Sequence, residues 1–138
     1  AACRLKIDAD THVTVDAGLV PNGTEPVDGT KFDLRDDPVL GGRAFDDAWV
    51  DVHCADDGTT TTVFTRPDGM EIKLVGDETI NAWQCYTATG APFDQHPNGI
   101  AVEPMTAPAN AFRSGDHLTV IEPGKSVTTV VRYEVTVK

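Results

Sequence analysis

The chain has 138 residues and a formal net charge of −11, a size that suits one domain with a single hydrophobic core. Hydrophobic residues make up 40% of the chain and charged residues 24%, which argues against disorder, and no apolar run approaches the length of a membrane span. The excess of negative charge would repel phosphate backbones and anionic lipid, so we expect no binding to nucleic acid or to membranes.

The first predicted strand covers residues 5–16, where most odd positions are apolar and the even positions are polar. A period of two is typical of a strand with one buried face. Residues 21–38 follow and are rich in turn-forming residues, so we predict a long, turn-rich crossing between two sheets there.

Further along the chain, residues 59–65 and 70–75 flank the sequence RPDG. Proline presets φ and glycine accepts a positive φ, so these two segments predict a hairpin. The other predicted strands, in chain order, are residues 46–53, 82–87, 99–103 and 127–138.

Turn signals recur about every ten residues, because nine prolines and twelve glycines punctuate the chain. No window holds three turns of helical periodicity. We therefore predict an all-β fold, an antiparallel β-sandwich formed by residues 1–138 as one domain.

The three cysteines, Cys3, Cys54 and Cys85, lie far apart in the chain. They have neither the paired spacing of a zinc site nor the density of a disulfide framework. We interpret them as buried or free thiols, which are typical of a reducing compartment, and we expect a cytoplasmic protein.

Glu103 is the most informative candidate for chemistry. Alternation along residues 99–103 places Ile100 and Val102 on one face and Gly99, Ala101 and Glu103 on the other. The small neighbours of Glu103 leave open space above the strand, through which a ligand could reach the carboxylate. The alternative is a surface glutamate at the end of a strand.

Gln84 has a similar setting. It shares a face with Ala82 and Tyr86, while Trp83 and Cys85 point the other way. An amide pairs with sugar hydroxyls and an aromatic ring packs against the C–H face of a pyranose. A structural glutamine bonded across strands is the commoner outcome of this pattern.

Other polar residues give weaker signals. Asp46 and Asp47 form one of three Asp-Asp pairs, none with the spacing of a calcium loop, and solvated turns explain most of them. His53 and Cys54 are adjacent in a predicted strand and point to opposite faces, and the remaining histidines are scattered, so we predict no metal site. Neither serine lies in a nucleophile elbow, so we predict no covalent catalyst.

Several segments, in this order, resemble aldose 1-epimerases, especially bacterial ones. The matching segments are GLVPNG at 18–23, GTKFDLR at 29–35, AFDDAW at 44–49, GIAVEPMT at 99–106 and APANAFRSG at 107–115. Together they span nearly the whole chain. The resemblance implies a galactose-mutarotase-like supersandwich of which this chain is the C-terminal half.

In that family a glutamate takes the proton of the anomeric hydroxyl while a histidine protonates the ring oxygen, so that the pyranose opens and recloses with C1 inverted. The resemblance implies that Glu103 is this general base. It also implies that Asp46, in the Phe-Asp pattern, and Gln84, before Tyr-Thr, bind sugar hydroxyls. No cofactor is implied.

The resemblance implies that the family's arginine and its histidines, including the general acid, lie in an N-terminal half upstream of this chain, and that none of the four histidines here replaces them. We therefore expect the chain alone to be inactive or nearly so. Sheets that continue into a missing half leave unpaired edges, so we expect a second copy of the chain or a polypeptide supplying the N-terminal half as partner.

Two other functions stay open. One is a non-catalytic carbohydrate-binding β-sandwich that kept the pocket without the acid. The other is an epimerase of hexose 6-phosphates, which needs cationic phosphate contacts. The 11 lysines and arginines against 22 aspartates and glutamates show no basic cluster.

Overall fold

A computed structural model describes residues 2–88 and 99–137 of the chain. Within these ranges it contains nine β-strands and one short helix. In chain order they are β1 (Arg4–Ile7), β2 (Ala9–Val15), β3 (Pro21–Pro26), β4 (Asp46–Val52), β5 (Thr60–Thr65), β6 (Glu71–Gly76), β7 (Ala82–Thr87), β8 (Ile100–Met105), α1 (Ala111–Ser114) and β9 (Val131–Thr136). The helix is far too short to cross a bilayer, and no other helix occurs in the described part of the chain.

The strands form two antiparallel sheets. One has four strands in the order β1-β5-β6-β9, and the other has five in the order β3-β2-β4-β7-β8. Their inner faces meet in one core that includes Leu5, Ile7, Trp49, Leu74 and Trp83. The predicted all-β sandwich is confirmed, whereas the larger supersandwich stays a prediction.

The prediction of one strand over residues 5–16 is wrong, because this segment forms two strands in different sheets. Strand β1 pairs with β5, and β2 pairs with β3 and β4, with Asp8 between them. Leu5, Ile7 and Ala9 all point into the core, so the alternation continues unbroken across the change of sheet. The period of two over residues 5–16 therefore predicts neither the change of sheet nor the burial of His12, which is at an even position.

The turn-rich crossing predicted for residues 21–38 is correct only for its second part. Its first six residues form the edge strand β3, which tolerates proline because an edge leaves some backbone N–H groups without a ladder partner. In the remainder, Val27 and Leu34 insert into the core, and turns carry the backbone between them.

The remaining predicted strands are present with small differences in their ends. The hairpin of β5 and β6 is confirmed, with the Arg66 amide donating to the Met70 carbonyl at 2.8 Å and Gly69 at φ 85°. Strand β7 has the predicted bounds, while β8 continues to Met105 and β9 begins only at Val131.

The outer face of the five-stranded sheet carries a second, smaller apolar cluster, formed by Val13, Ala48, Val50 and Ala82 with Met105 against it. These side chains come from neighbouring strands and are buried although they face away from the main core. The segment that follows β8 lies over part of this face, since its Ala109 borders the same hollow as two members of the cluster.

Candidate functional site

An open hollow of about 430 Å³ lies on the outer face of the five-stranded sheet, a volume within the range of small-molecule sites. Its floor is apolar and includes Ala48 and Met105. Its polar lining includes Asp46, Gln84 and Glu103. All three residues that the sequence singled out therefore lie in one hollow, while their roles stay predictions.

The strand register explains this convergence. Gln84 on β7 lies directly opposite Glu103 on β8 and opposite Ala48 on β4, and Tyr86 on β7 lies opposite Asp46 on β4. Side chains two residues apart on a strand point to the same face. Asp46, Gln84 and Glu103 thus stand on three adjacent strands, on the face away from the core.

Asp46 and Gln84 contact one another directly. The Gln84 Nε2 donates to Asp46 Oδ1 at 3.0 Å. This hydrogen bond orients the amide, so its oxygen and the second oxygen of the Asp46 carboxylate are available as acceptors for hydroxyl groups. Gln84 is therefore a glutamine bonded across strands, which was the structural alternative considered from the sequence. It also lines the hollow.

The Glu103 carboxylate is exposed at the hollow. Among residues 2–88 and 99–137, no side chain or backbone group forms a hydrogen bond or an ion pair with it. The negative charge of Glu103 also affects the Cys85 thiol. Burial, together with the negative charges of Asp47 and Glu103, raises the pKa of this thiol to about 12. An accessible carboxylate without a partner can accept a proton from a bound molecule.

The described histidines lie away from the lining of the hollow. His12 points to the core side of the sheet, His53 is held by Asp8 and Asp10, and His117 bonds Asp116 on an exposed segment. His96 lies outside the described residues. Within the described part of the chain, the hollow therefore has a candidate base but no histidine that could serve as its acid.

The sequence matches the profile of a family described as Aldose 1-epimerase over residues 1–134 of the 138-residue chain. The chain belongs to the aldose 1-epimerase family. No curated protein matches the chain significantly. The family resemblance stated from the sequence is confirmed, and the correspondence to the C-terminal half of the family's fold stays a prediction.

The sequence pattern of this aldose 1-epimerase family chain did not predict a row of polar side chains behind the hollow, centred on the buried His12. His12 and Asp47 were interpreted as a scattered histidine and a solvated turn residue. In the structure, His12 Nε2 lies 2.8 Å from Asp47 Oδ1 and His12 Nδ1 lies 2.9 Å from Glu25 Oε1. The signal would have been the pairing of His12 with Glu25, which could not be seen while residues 21–26 were assigned to a turn-rich segment.

Asp47 also has a perturbed acidity in this setting. Burial by itself would raise the pKa of Asp47, but hydrogen bonds from His12 and from the Asp46 backbone amide lower it below its ordinary value. The net effect keeps Asp47 ionised although its side chain is only 17% exposed.

A second hollow, of about 270 Å³, borders the four-stranded sheet and is lined by Lys6, Asp8, His53 and Cys54. Its histidine and carboxylates are already paired with each other, since Asp8 and Asp10 hold the two ring nitrogens of His53. No cluster of three or more His, Cys, Asp or Glu side chains is placed to hold a metal ion in the ranges that the structure covers. The larger hollow is therefore the candidate functional site of this aldose 1-epimerase family chain.

Proposed function

We propose that this chain carries the general base and part of the sugar pocket of an aldose 1-epimerase that interconverts the α and β anomers of free aldohexoses such as galactose or glucose. The observation that carries the proposal is the Glu103 carboxylate, which has no partner among the described residues and borders the same hollow as Asp46 and Gln84. Family membership supports the reaction class.

In the proposed reaction, the Glu103 carboxylate accepts the proton of the anomeric hydroxyl. The C1–O1 bond becomes a carbonyl as the bond between C1 and the ring oxygen breaks, and an acid protonates the ring oxygen. Rotation about C1–C2 and the reverse sequence, with Glu103 returning its proton, give the other anomer. All protons are recovered, so neither a cofactor nor a covalent intermediate is needed.

The acid is the part that the described residues do not supply. We propose that it is a histidine of polypeptide outside this chain, as the family resemblance implies. Without an acid to protonate the ring oxygen, the chain alone should be inactive or nearly so, because ring opening would leave an alkoxide.

Asp46 and Gln84 are proposed to orient the sugar. A sugar hydroxyl is both a donor and an acceptor, so it can donate to Oδ2 of Asp46 or to the oxygen of the Gln84 amide. The apolar floor around Met105 and Ala48 suits the C–H face of a pyranose. The hollow thus offers polar contacts along one side and an apolar surface below.

The electrostatics of the hollow favour neutral sugars over hexose 6-phosphates. Asp46 and Glu103 contribute carboxylates, and no lysine or arginine is among the described residues that line it. A phosphate dianion next to two carboxylates would be repelled. The non-catalytic sugar-binding alternative is favoured by one observation, the absence of a histidine from this lining in the described ranges.

Polarimetry with added imidazole separates the enzyme from the binding module. Imidazole can replace a missing acid. In the presence of the chain, added imidazole should therefore increase the rate of α-galactose mutarotation by more than the sum of the increases caused by imidazole alone and by the chain alone. Glu103→Gln keeps the shape of the side chain but removes the base, and it should abolish this excess rate. Glu122→Gln, a change at an exposed glutamate elsewhere, is the matched control and should retain it.

An excess rate that survives in Glu103→Gln would refute the assignment of the base. Binding of galactose with no excess rate in the wild-type chain would favour the carbohydrate-binding module. Acceleration by the chain alone, without imidazole, would show that the acid is present after all.

A further inference from the structure

We propose that Asp47 and His12 are positioning residues for the sugar pocket, holding the start of β4 so that the Asp46 carboxylate faces the hollow. This inference rests on the proposed function, because Asp46 is assigned there to sugar binding. Neither Asp47 nor His12 is among the residues that line the hollow, so their effect on a sugar would be exerted through Asp46.

The row crosses three neighbouring strands. Glu25 on β3 lies directly opposite His12 on β2. His12 in turn lies opposite Trp49 on β4, and Asp47 is two residues before Trp49 and so on the same face. A direct pair and a diagonal pair of side chains on adjacent strands are within contact distance, which makes the row Glu25, His12, Asp47 a consequence of the register.

Each end of the imidazole is bound by a carboxylate, at 2.9 Å for Glu25 Oε1 and 2.8 Å for Asp47 Oδ1. An ionised carboxylate only accepts hydrogen bonds, so the ring nitrogen of His12 that faces Asp47 donates. Hydrogen bonds to an ionised acceptor are shorter and stronger than neutral ones. His12 is therefore held from both sides in the plane of its ring.

Packing holds the same ring from above. His12 is 5% exposed and stacks on Phe32, with ring centroids 3.4 Å apart and an angle of 11° between the planes. The Trp49 ring meets it edge-on at 6.1 Å. A ring fixed in its plane and on its face cannot change rotamer without opening the core, so it is a rigid anchor for Asp47.

The link to the hollow runs through the backbone. The second oxygen of Asp47, Oδ2, accepts a hydrogen bond from the Asp46 backbone amide at 3.1 Å. Because successive side chains alternate between faces, fixing Asp47 on the core side and the Asp46 amide beside it sets the direction of the Asp46 side chain. Gln84 then holds the Asp46 carboxylate by its Oδ1 atom.

Stability alone is a poor reason for this arrangement. Burying charged groups carries a desolvation penalty, and apolar replacements of buried ion pairs are often neutral or stabilising. The row also lies immediately behind the start of β4, which contributes the Asp46 carboxylate to the hollow. A preorganised acceptor, held by residues that do not touch the ligand, is what a binding site requires of its supporting groups.

The test uses Asp47→Asn, which keeps the shape of the side chain but leaves one oxygen to accept from two donors. In the sugar-free chain, amide hydrogen exchange of Asp46 should become at least about tenfold faster, and the dissociation constant for galactose, measured by NMR titration, should rise about tenfold. Asp8→Asn is the matched control: Asp8 also bonds a histidine, at 2.9 Å, but away from the hollow. It should change neither quantity.

A double-mutant cycle separates positioning from general damage. In an Asp46→Ala background, Asp47→Asn should change the galactose dissociation constant less than about twofold, because the group through which Asp47 acts is gone. An equal loss of affinity in both backgrounds would overturn the proposal. If Asp47→Asn does not fold, Glu25→Gln at the more exposed end of the row should shift both quantities in the same direction by less.

The exchange rate of the Asp46 amide and the galactose dissociation constant together distinguish a failure of this proposal from a failure of the proposed function. Failure of the wild-type chain to bind galactose would count against the proposed function, while the exchange rate of the Asp46 amide would still test the positioning. An exchange rate unchanged by Asp47→Asn would refute the positioning role, whatever the sugar affinity.

Discussion

Gln84 lies directly opposite Glu103 across β7 and β8, and its side-chain amide donates to Asp46 Oδ1 at 3.0 Å. A single neutral side chain therefore stands between the two carboxylates of the hollow. Like charges that share a site repel and disfavour joint ionisation. A neutral amide between them gives Asp46 a partner and leaves Glu103 without one among the described residues.

We predict that Gln84→Leu weakens sugar binding. The change keeps the approximate size of the side chain but removes the donor to Asp46 and an acceptor for the ligand. Loss of one or two hydrogen bonds, at about 1 kcal/mol each, should raise the galactose dissociation constant by about 10-fold. NMR titration measures the constant, and an unchanged value would exclude Gln84 from the site. The unfolding free energy serves as the control and should stay nearly constant, because Gln84 is only half-buried.

The pH dependence of stability should report on His53. A hydrogen bond to Asp10, opposed by partial burial and assisted by the charges of Asp10 and Asp8, raises the pKa of His53 above its ordinary value. A group whose pKa is raised by folding adds stability below its unfolded pKa of about 6.5, and this contribution is lost as the pH rises through the folded pKa.

The free energy of unfolding of the wild type, minus that of His53→Gln, should therefore be largest near pH 5.5 to 6 and fall at higher pH. The side chain is 47% exposed, so solvent screening limits the effect to about 0.5 kcal/mol. Urea titrations at several pH values measure it, and added salt should reduce it. A difference that grows with rising pH would contradict the prediction.

The three thiols should differ strongly in reactivity. Cys54 is exposed and Cys3 is half-buried, whereas Cys85 is buried and its pKa is raised to about 12. Only the thiolate reacts with a disulfide reagent. At pH 8, Cys54 should react with Ellman's reagent first and Cys85 only after unfolding, and rapid modification of Cys85 in the native chain, located by mass spectrometry, would be inconsistent with its burial.

Strand β9 leads us to predict self-association. It is an edge strand that pairs with β6, and within the described ranges its other edge is free. Tyr133 and Val135 lie opposite Leu74 and Ile72 on the inner side of the sheet, yet they are 64% and 59% exposed. An open edge with apolar side chains is a template for another strand.

A second copy of the chain fits this edge. Antiparallel pairing of two β9 strands about a two-fold axis at Tyr133 would place Arg132 opposite Glu134 of the second copy, and Glu134 opposite its Arg132. Opposite charges directly across a strand pair are favourable. The sequence of the strand is thus complementary to itself in this register.

Light scattering should therefore detect a dimer at high protein concentration. Glu134→Arg would set like charges opposite each other and should favour the monomer, and the double change Arg132→Glu with Glu134→Arg should restore the dimer. A wild-type chain that stays monomeric, or a single reversal without effect, would contradict this pairing.

The alternation of side chains made much of the fold and the site predictable. It identified β7 with its full bounds, the hairpin of β5 and β6, and the face on which Glu103 stands. These features are local, because the direction of a side chain on a strand depends only on its position in the period of two. The roles of Glu103, Asp46 and Gln84 came from the family resemblance.

Other features were not predictable because they depend on pairing between distant segments. Residues 5–16 alternate without a break, yet the chain changes sheet at Asp8. The edge strand β3 carries prolines at both ends, which hid it among turn signals. His12 stands at an even, polar position of the pattern and is nonetheless buried, because it lies opposite Trp49 on β4 and stacks on Phe32.

The sequence by itself determined the all-β class, the family and which side chains share a strand face, since each is encoded in local periodicity and in motifs read along the chain. Only the tertiary structure decided which strands are neighbours, and with it the meeting of Asp46, Gln84 and Glu103 in one hollow and of Glu25, His12 and Asp47 behind it. The reason is physical: strand register is settled by how two faces bury against each other, and that burial involves residues far apart in the chain.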